Sequence, residues 1–332
     1  MAAAVRFGRL LMRAAVFENY GSPDVLGIRN VAKPTPKHNQ ILIRVHASAV
    51  NSADWRLRKP DPWGVRLFLG LRRPRIKILG GVFSGTVEAV GSSVTRFRAG
   101  DRIFGSTGLK FGAYADFLCL PENATVVKFS DRISFGNAAA LSFGYLTVCH
   151  YLRKAQVSRG QHLMVYGASG SVGTAAVQMA KYLGAKVTAV TSAANTELMR
   201  SLGADRTLDY AGTDFKNDLT QYDVVFDAVG KTPWRDHLHR VKSRGALILV
   251  ASGALRSLYL PCLQFMFRPR LIAGVITEKV TDLELVRDLA ESKQIQPVID
   301  KIFTLEEIAA AHRYVELGHK RGNVILQISD TE

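Results

Sequence analysis

The chain has 332 residues, 47% hydrophobic and 22% charged, with a net charge of +16. It is long enough for two domains with sizeable cores, and its composition excludes a disordered or disulfide-dense protein. No apolar run reaches the roughly 18 residues of a membrane span, and Cys119, Cys149 and Cys262 are too scattered for a ligand pair or disulfide framework, so a cytoplasmic enzyme is expected.

The positive charge suits an anionic cofactor, an acidic membrane surface or nucleic acid. Met1 to Leu11 is Ala-rich, carries Arg6 and Arg9 and has no acid. It has no evident cleavage site and runs straight into a first strand, so it reads as an upstream start or frayed leader rather than a targeting signal.

From Met12 to about Ser130 the periodicity is mostly two. Arg13 to Phe17, Gln40 to Val50, Gly85 to Val90, Asp101 to Phe104 and Ala113 to Leu120 read as strands, punctuated by Gly21-Ser-Pro, Lys33-Pro-Thr-Pro and Ala99-Gly-Asp. A largely antiparallel β domain is expected. Ser134 to Lys154 reads as one bridging helix.

The stretch from His162 to Ser192 then reads as strand, glycine turn, helix and strand. His162 to Tyr166 is an apolar strand, and Gly167, Ala168, Ser169, Gly170, Ser171, Val172 and Gly173 form the turn. Thr174 to Leu183 has helical spacing, with Gly184 closing it. This is the outline of a βαβ dinucleotide unit, in which glycines let backbone approach a pyrophosphate and helix amides donate to it. A nucleophile elbow is set aside, because Ser171 fills the last glycine slot of G-x-S-x-G. NAD sites usually carry an acid at the end of the second strand. Val190 to Asn195 has none, whereas Ser192 and Asn195 can donate hydrogen bonds to a 2′-phosphate, which favours NADP(H).

Beyond it, helix and strand alternate. Helices are expected at Thr196 to Leu202, Pro233 to Val241, Asp282 to Ser292 and Leu305 to Leu317. Strands are expected at Arg206 to Tyr210, Tyr222 to Ala228, Gly245 to Ala251, Leu271 to Ile276, Pro297 to Phe303 and Asn323 to Ser329. Alternation of this kind implies a doubly wound parallel sheet. Thr304 and Glu307 form a capping box for the last helix.

Several segments carry a family resemblance: Gly21-Ser-Pro-Asp-Val-Leu26, Asn51-Ser-Ala-Asp54, Gly85-Thr-Val-Glu-Ala-Val-Gly91, Arg98-Ala-Gly-Asp101, Gly112-Ala-Tyr-Ala, the glycine turn, Leu202-Gly-Ala-Asp205 and Gly322-Asn323-Val. From Met12 onward the chain resembles the zinc-independent medium-chain dehydrogenase/reductases, quinone oxidoreductase-like branch. The resemblance implies a GroES-like β domain (12–133 and 274–332) around a Rossmann domain (134–273), with nicotinamide in the cleft between. It also implies NADPH-dependent reduction of a quinone, enal or enone, and a homodimer.

In zinc alcohol dehydrogenases the metal is held by Cys, His and Cys with a nearby Glu. The slots that resemble those here hold Asn51, Gly81, Phe143 and Val82, and the cysteine-rich structural lobe is replaced by Ser106 to Gly112. No metal site is therefore expected, and His46, His237 and His239 read as structural. Without a Lewis acid a simple ketone is a poor substrate, whereas a conjugated acceptor spreads the charge of an added hydride onto oxygen.

The resemblance places Asn51 in the cleft as a hydrogen-bond donor to that oxygen. Asp54 is expected to orient nearby backbone, and Thr147 to lie near the nicotinamide. Trp55 stands where quinone reductases often have tyrosine, which points to water as the proton source. Tyr210 matches a tyrosine beside the adenosine phosphate, and Asn195 stands where a lysine is common. Val229, Ala251, Ser252, Gly253 and Asn323 complete the expected cofactor contacts.

Two further stretches bear on the substrate. Arg56 to Lys77 carries eight basic residues and one acid, interleaved with Trp63, Leu67, Phe68, Leu69 and Leu71; Leu255 to Phe267 is apolar. Together they suggest a wall for a small lipophilic carbonyl or quinone. The basic stretch also suits an anionic membrane, RNA or an ordinary solvated face. The alternative to an enzyme is a non-catalytic NADPH-binding protein that acts through this basic surface.

Overall fold

The computed structural model describes residues 10–250 and 268–329. Two sheets organise them. The first has seven strands: β3 (Gln40–Ala49), β4 (Val82–Val90), β5 (Arg102–Ser106), β6 (Phe117–Pro121), β7 (Val126–Lys128), β14 (Ile299–Thr304) and β15 (Asn323–Gln327). Their order is β14-β15-β3-β4-β5-β7, with β6 also on β3. Strand β3 pairs with β4, β6 and β15, and all but two of its ten residues are buried. A near-continuous apolar run follows from that central position. The small hairpin β1 (Leu11–Val16) and β2 (Gly27–Ala32) packs beside it.

The pairing is antiparallel throughout except for β14 against β15, which are parallel because helix α9 (Ile308–Glu316) crosses over between them. Strands β2 and β7 carry no clear alternation, and the sequence reading missed both.

The second sheet is wholly parallel: β8 (His162–Tyr166), β9 (Lys186–Thr191), β10 (Arg206–Asp209), β11 (Tyr222–Asp227), β12 (Val241–Leu249) and β13 (Arg270–Ala273), in the order β10-β9-β8-β11-β12-β13. Chain direction across the sheet reverses between β8 and β11. The fold class is α/β, a GroES-like β unit with a doubly wound parallel sheet.

Helices α4 (Phe143–Ala155) and α5 (Ser171–Tyr182) flank the second sheet, and α8 (Val280–Glu291) packs on α4 and on β7 of the first. One apolar cluster runs from Leu163, Val165, Ala176 and Met179 through α4 to Ala47, Val82 and Phe104 of the first sheet, so the two sheets share a core. A second cluster sits between the first sheet and α9, with Ile41, Val45, Phe83, Ile308 and Val315.

The expected helix from Ser134 to Lys154 is two helices, α3 (Phe135–Ala140) and α4, separated at Leu141 and Ser142. Helix α3 packs on β3, β4 and β15, whereas α4 packs on α5, so the axis must turn. The expected helix at Pro233 is a 3₁₀ segment, Trp234–Arg240. Strand β12 starts at Val241, earlier than expected, because Lys242, Ser243 and Arg244 are exposed and hide its pattern. Glu307 does accept from the Thr304 amide at 2.9 Å and from its hydroxyl at 3.3 Å, closing the turn just before α9. Among the described residues no helix is long and apolar enough to cross a membrane.

Candidate functional site

The glycine turn sits where the parallel sheet changes direction, at the carboxyl ends of β8 and β11, the crevice in which open α/β sheets bind ligands. Gly167 has φ of +76°, and a Cβ there would lie 2.0 Å from Val229 Cγ2. A Cβ on Gly173 would come within 2.3 Å of the Gly167 carbonyl. Gly170 differs: its φ is −77°, and a Cβ would meet nothing nearer than 3.9 Å. Space is therefore open over the first turn of α5, where amide donors and the positive helix end converge. Ser169 and Ser171 border it, and Ala168 and Val172 are buried beneath.

The second turn, after β11, is held by Asp227. Its Oδ1 accepts from the Val229 amide at 2.8 Å and the Gly230 amide at 2.9 Å. Asp227 is fully buried and was not singled out from sequence; an acid ending a strand before Val-Gly was the available signal.

At the end of β9, Asn195 Nδ2 donates to Ser192 Oγ at 3.0 Å. Ser192 thus keeps its own hydroxyl proton for a ligand, with Asn195 behind it. The Tyr210 amide donates to the Thr191 carbonyl at 3.1 Å, and its side chain is exposed. Ser192, Asn195 and Tyr210 are therefore neighbours. Ala251, Ser252 and Gly253 lie outside the described residues, as does the apolar stretch Leu255 to Phe267.

Strand β15 joins this turn to the first sheet. The Gly322 amide donates to the Ser169 carbonyl at 2.7 Å, and Gly322 forms a parallel bridge with Gly170. One residue on, Asn323 is buried, its Nδ2 donating to the Val298 carbonyl at 3.1 Å. The Val50 amide then donates to the Val324 carbonyl at 2.9 Å, so Asn51 and Asn323 end the paired run of β3 and β15 side by side. Lys320 was missed from sequence, although it lies in a basic run, His319-Lys320-Arg321, between two glycines. Its amine donates to the Gly322 carbonyl, and burial draws it down to about 8.

Asn51 caps α1 (Ser52–Arg58) and is buried; its Nδ2 donates to the Ala49 carbonyl at 3.3 Å and its Oδ1 has no partner. Asp54 accepts from the Asn51 amide at 2.8 Å and the Gly80 amide at 3.3 Å. Burial lifts its carboxyl to about 6 against the pull of those donors and of the Tyr114 hydroxyl. Thr147, one turn into α4, is buried and donates to the Phe143 carbonyl at 2.7 Å. Glu278 reaches from beyond β13 to Ser106 Oγ, 2.9 Å away at the end of β5, and burial raises its carboxyl. It ties the two sheets across the cleft, a long-range pair with no local signal.

The site suits a dinucleotide. Thr191 Oγ1, Asn195 Oδ1, Asn51 Oδ1 and Asn323 Oδ1 are all buried without a hydrogen-bond partner, and all stand at the ends of the strands that border the cleft. Groups left so are costly unless a ligand pairs them. Among the described residues no cluster of three or more His, Cys, Asp or Glu is placed to hold a metal. His46 instead pairs with Thr86 and Ser329 and stacks on Phe135, and His237 lies 3.6 Å from Asp227.

Residues 37–131 match the alcohol dehydrogenase GroES-like domain family, and residues 202–326 the zinc-binding dehydrogenase family. The chain is 31% identical to the 2-methylene-furan-3-one reductase of Solanum lycopersicum, over 95% of this chain and 79% of that protein. It is 30% identical to the chloroplastic NADPH-dependent alkenal/one oxidoreductase of Arabidopsis thaliana, with the same coverage. The solved quinone oxidoreductase of Coxiella burnetii superposes with a TM-score of 0.88 at 27% identity, over 96% of this chain and 100% of that one. The chain belongs to the medium-chain dehydrogenase/reductase family, in its quinone oxidoreductase-like branch.

Proposed function

We propose that the protein is an NADP(H)-dependent oxidoreductase that reduces a quinone, or the activated C=C of an enal or enone, without zinc. The observation that carries this reading is the open space over Gly170 at the head of α5, joined through Gly322 and Asn323 to Asn51. The relatives named as an NADPH-dependent alkenal/one oxidoreductase and a quinone oxidoreductase support it.

Bound NADPH supplies the hydride, from nicotinamide C4. The amides of the glycine turn and the first turn of α5 bind pyrophosphate. Ser192, backed by Asn195, and Tyr210 hold the 2′-phosphate. Val229, with Asp227 fixing its turn, borders the dinucleotide, and Asn323 and Thr147 border its nicotinamide half. Asn51 donates its remaining Nδ2 proton to the acceptor oxygen, where charge develops in the transition state. Asp54 positions Asn51 by gripping its backbone amide. Water supplies the proton.

In this reading residues 12–133 with 274–332 form the substrate domain and 134–273 the nucleotide domain. The resemblance supports a homodimer, and the scattered cysteines support a cytoplasmic protein. The test is NADPH consumption against a naphthoquinone, an ortho-quinone, a short enal, a cyclic enone and a simple ketone, with NADH alongside. Turnover of a quinone or enal with NADPH preferred is expected. Silence on the whole panel, with NADPH binding shown by fluorescence, overturns the reductase assignment.

A further inference from the structure

The segment after α1 builds a fixed lobe with an unusual outer face. A 3₁₀ turn (Trp63–Val65) runs into α2 (Arg66–Leu69), and Gly70 then turns the chain with φ of +120°. Leu69 is buried, and the Tyr20 hydroxyl donates to the Gly70 carbonyl at 2.8 Å, so the lobe is anchored from beneath. The Arg66 guanidinium lies over the Tyr20 ring and donates to the Leu71 carbonyl at 3.2 Å.

Three large apolar side chains of this short segment are left exposed: Trp63 is 64% exposed, Leu67 65% and Leu71 59%. Burying them inside the lobe would have been the default, and a grouped apolar patch on a monomer marks an interaction surface. Arg72, Arg73 and Arg75 beside it are exposed, and none forms an ion pair with any described residue. The lobe's one acid is Asp61 against eight basic residues between Arg56 and Lys77. Arg58 and Lys59 pair with Glu316 and Lys77 with Glu18, whereas Arg72, Arg73 and Arg75 are left without an ion pair among the described residues.

We propose that this face, Trp63, Leu67 and Leu71 framed by Arg72, Arg73 and Arg75, docks the protein on an anionic lipid bilayer. Leucine and indole side chains enter the boundary between headgroups and acyl chains, and arginines at its rim pair with lipid phosphates. Single-stranded nucleic acid would instead use planar rings as stacking platforms, and two of the three apolar groups here are aliphatic. Its test reads vesicle binding rather than turnover, so the proposal does not depend on the reductase reading. The same docking would bring the cleft, which α1 borders, to a phase in which lipophilic carbonyls and quinones concentrate.

The full chain is sedimented with vesicles of phosphatidylcholine alone and of phosphatidylcholine with a third phosphatidylglycerol, at ~0.1 M salt. Binding to the anionic vesicles only is expected. The Trp63→Ser/Leu67→Ser/Leu71→Ser variant should bind them at least about tenfold more weakly with its melting temperature retained. Arg72→Gln/Arg73→Gln/Arg75→Gln should weaken binding and flatten its salt dependence. Should the serine variant fold poorly, indole quenching by brominated lipid in the parent, reduced in Trp63→Phe, reports the same insertion. The proposal is overturned by failure of the full chain to bind anionic vesicles, or by absence of quenching at Trp63. Undiminished vesicle binding by the folded serine variant overturns it too, as does a single-stranded RNA oligonucleotide that displaces the chain and binds that variant equally well.

Discussion

Gly322 lies directly against Gly170, its amide donating to the neighbouring Ser169 carbonyl, so the last strand of one sheet closes over the glycine turn of the other. Two glycines of that turn then separate binding from folding. Gly170→Ala fits the backbone, and its methyl projects into the space over α5. NADPH affinity should fall about tenfold or more, roughly 1.4 kcal/mol, with the thermal midpoint unchanged. Gly173→Ala puts a methyl within 2.3 Å of the Gly167 carbonyl and should lower both affinity and midpoint. Fluorescence titration and thermal melts of the two variants check the contrast.

Asn51→Ala removes the side-chain donor proposed to meet the acceptor oxygen while the Asp54 grip on its backbone amide remains. We expect kcat to fall about a hundredfold, as for loss of one oxyanion donor, with NADPH affinity unchanged. Steady-state kinetics on the best acceptor, with a separate NADPH titration, would show it; an unchanged kcat removes Asn51 from the chemistry.

Ser192→Asp places a carboxylate at the end of β9, the position where NAD sites carry one. Repulsion of the 2′-phosphate should cut kcat/KM for NADPH about tenfold or more and leave NADH equal or improved. Paired kinetics with the two cofactors measure this.

Asp54 and His312 titrate in opposition across the Tyr114 ring, which packs edge-on against His312. The Asp54 carboxyl is raised by burial from 3.8 to about 6, so the stability it contributes is full below 3.8 and lost as pH rises through about 6. His312 is lowered by burial, and by Arg58 beside it, from 6.5 to about 3. Its contribution is full above 6.5 and lost as pH falls through about 3. Between about pH 4 and 6 the two slopes oppose, each about 1.4 kcal/mol per pH unit at most. Asp54→Asn should therefore lose stability on acidification faster than the parent in that window, and His312→Gln should lose less or gain. Urea midpoints at intervals from pH 4 to 7.5 give both differences.

The glycine turn and its flanking strands were legible in the sequence because their signal is local: apolar run, glycines, helical spacing, apolar run. The break between α3 and α4 was not, since Leu141 and Ser142 carry no Gly or Pro and the bend is imposed by packing on two different sheets. The bridge of Gly322 to Gly170 and the Ser106 to Glu278 contact join residues distant in the chain. No window of sequence contains either pair of elements. The Arg56 to Lys77 stretch was visible as basic and aromatic, but which of its apolar residues turn inward depends on the anchor at Tyr20.

Because β14 and β15 complete the first sheet after the second sheet has been built, the polypeptide passes between the two halves twice, before α4 and after β13. A single tether would let the halves swing and twist freely. Two crossings, with the shared core and the Gly322 to Ser169 hydrogen bond, restrain how the halves can shift against each other. The place of Asn51 relative to the glycine turn is thereby set by the chain's own routing.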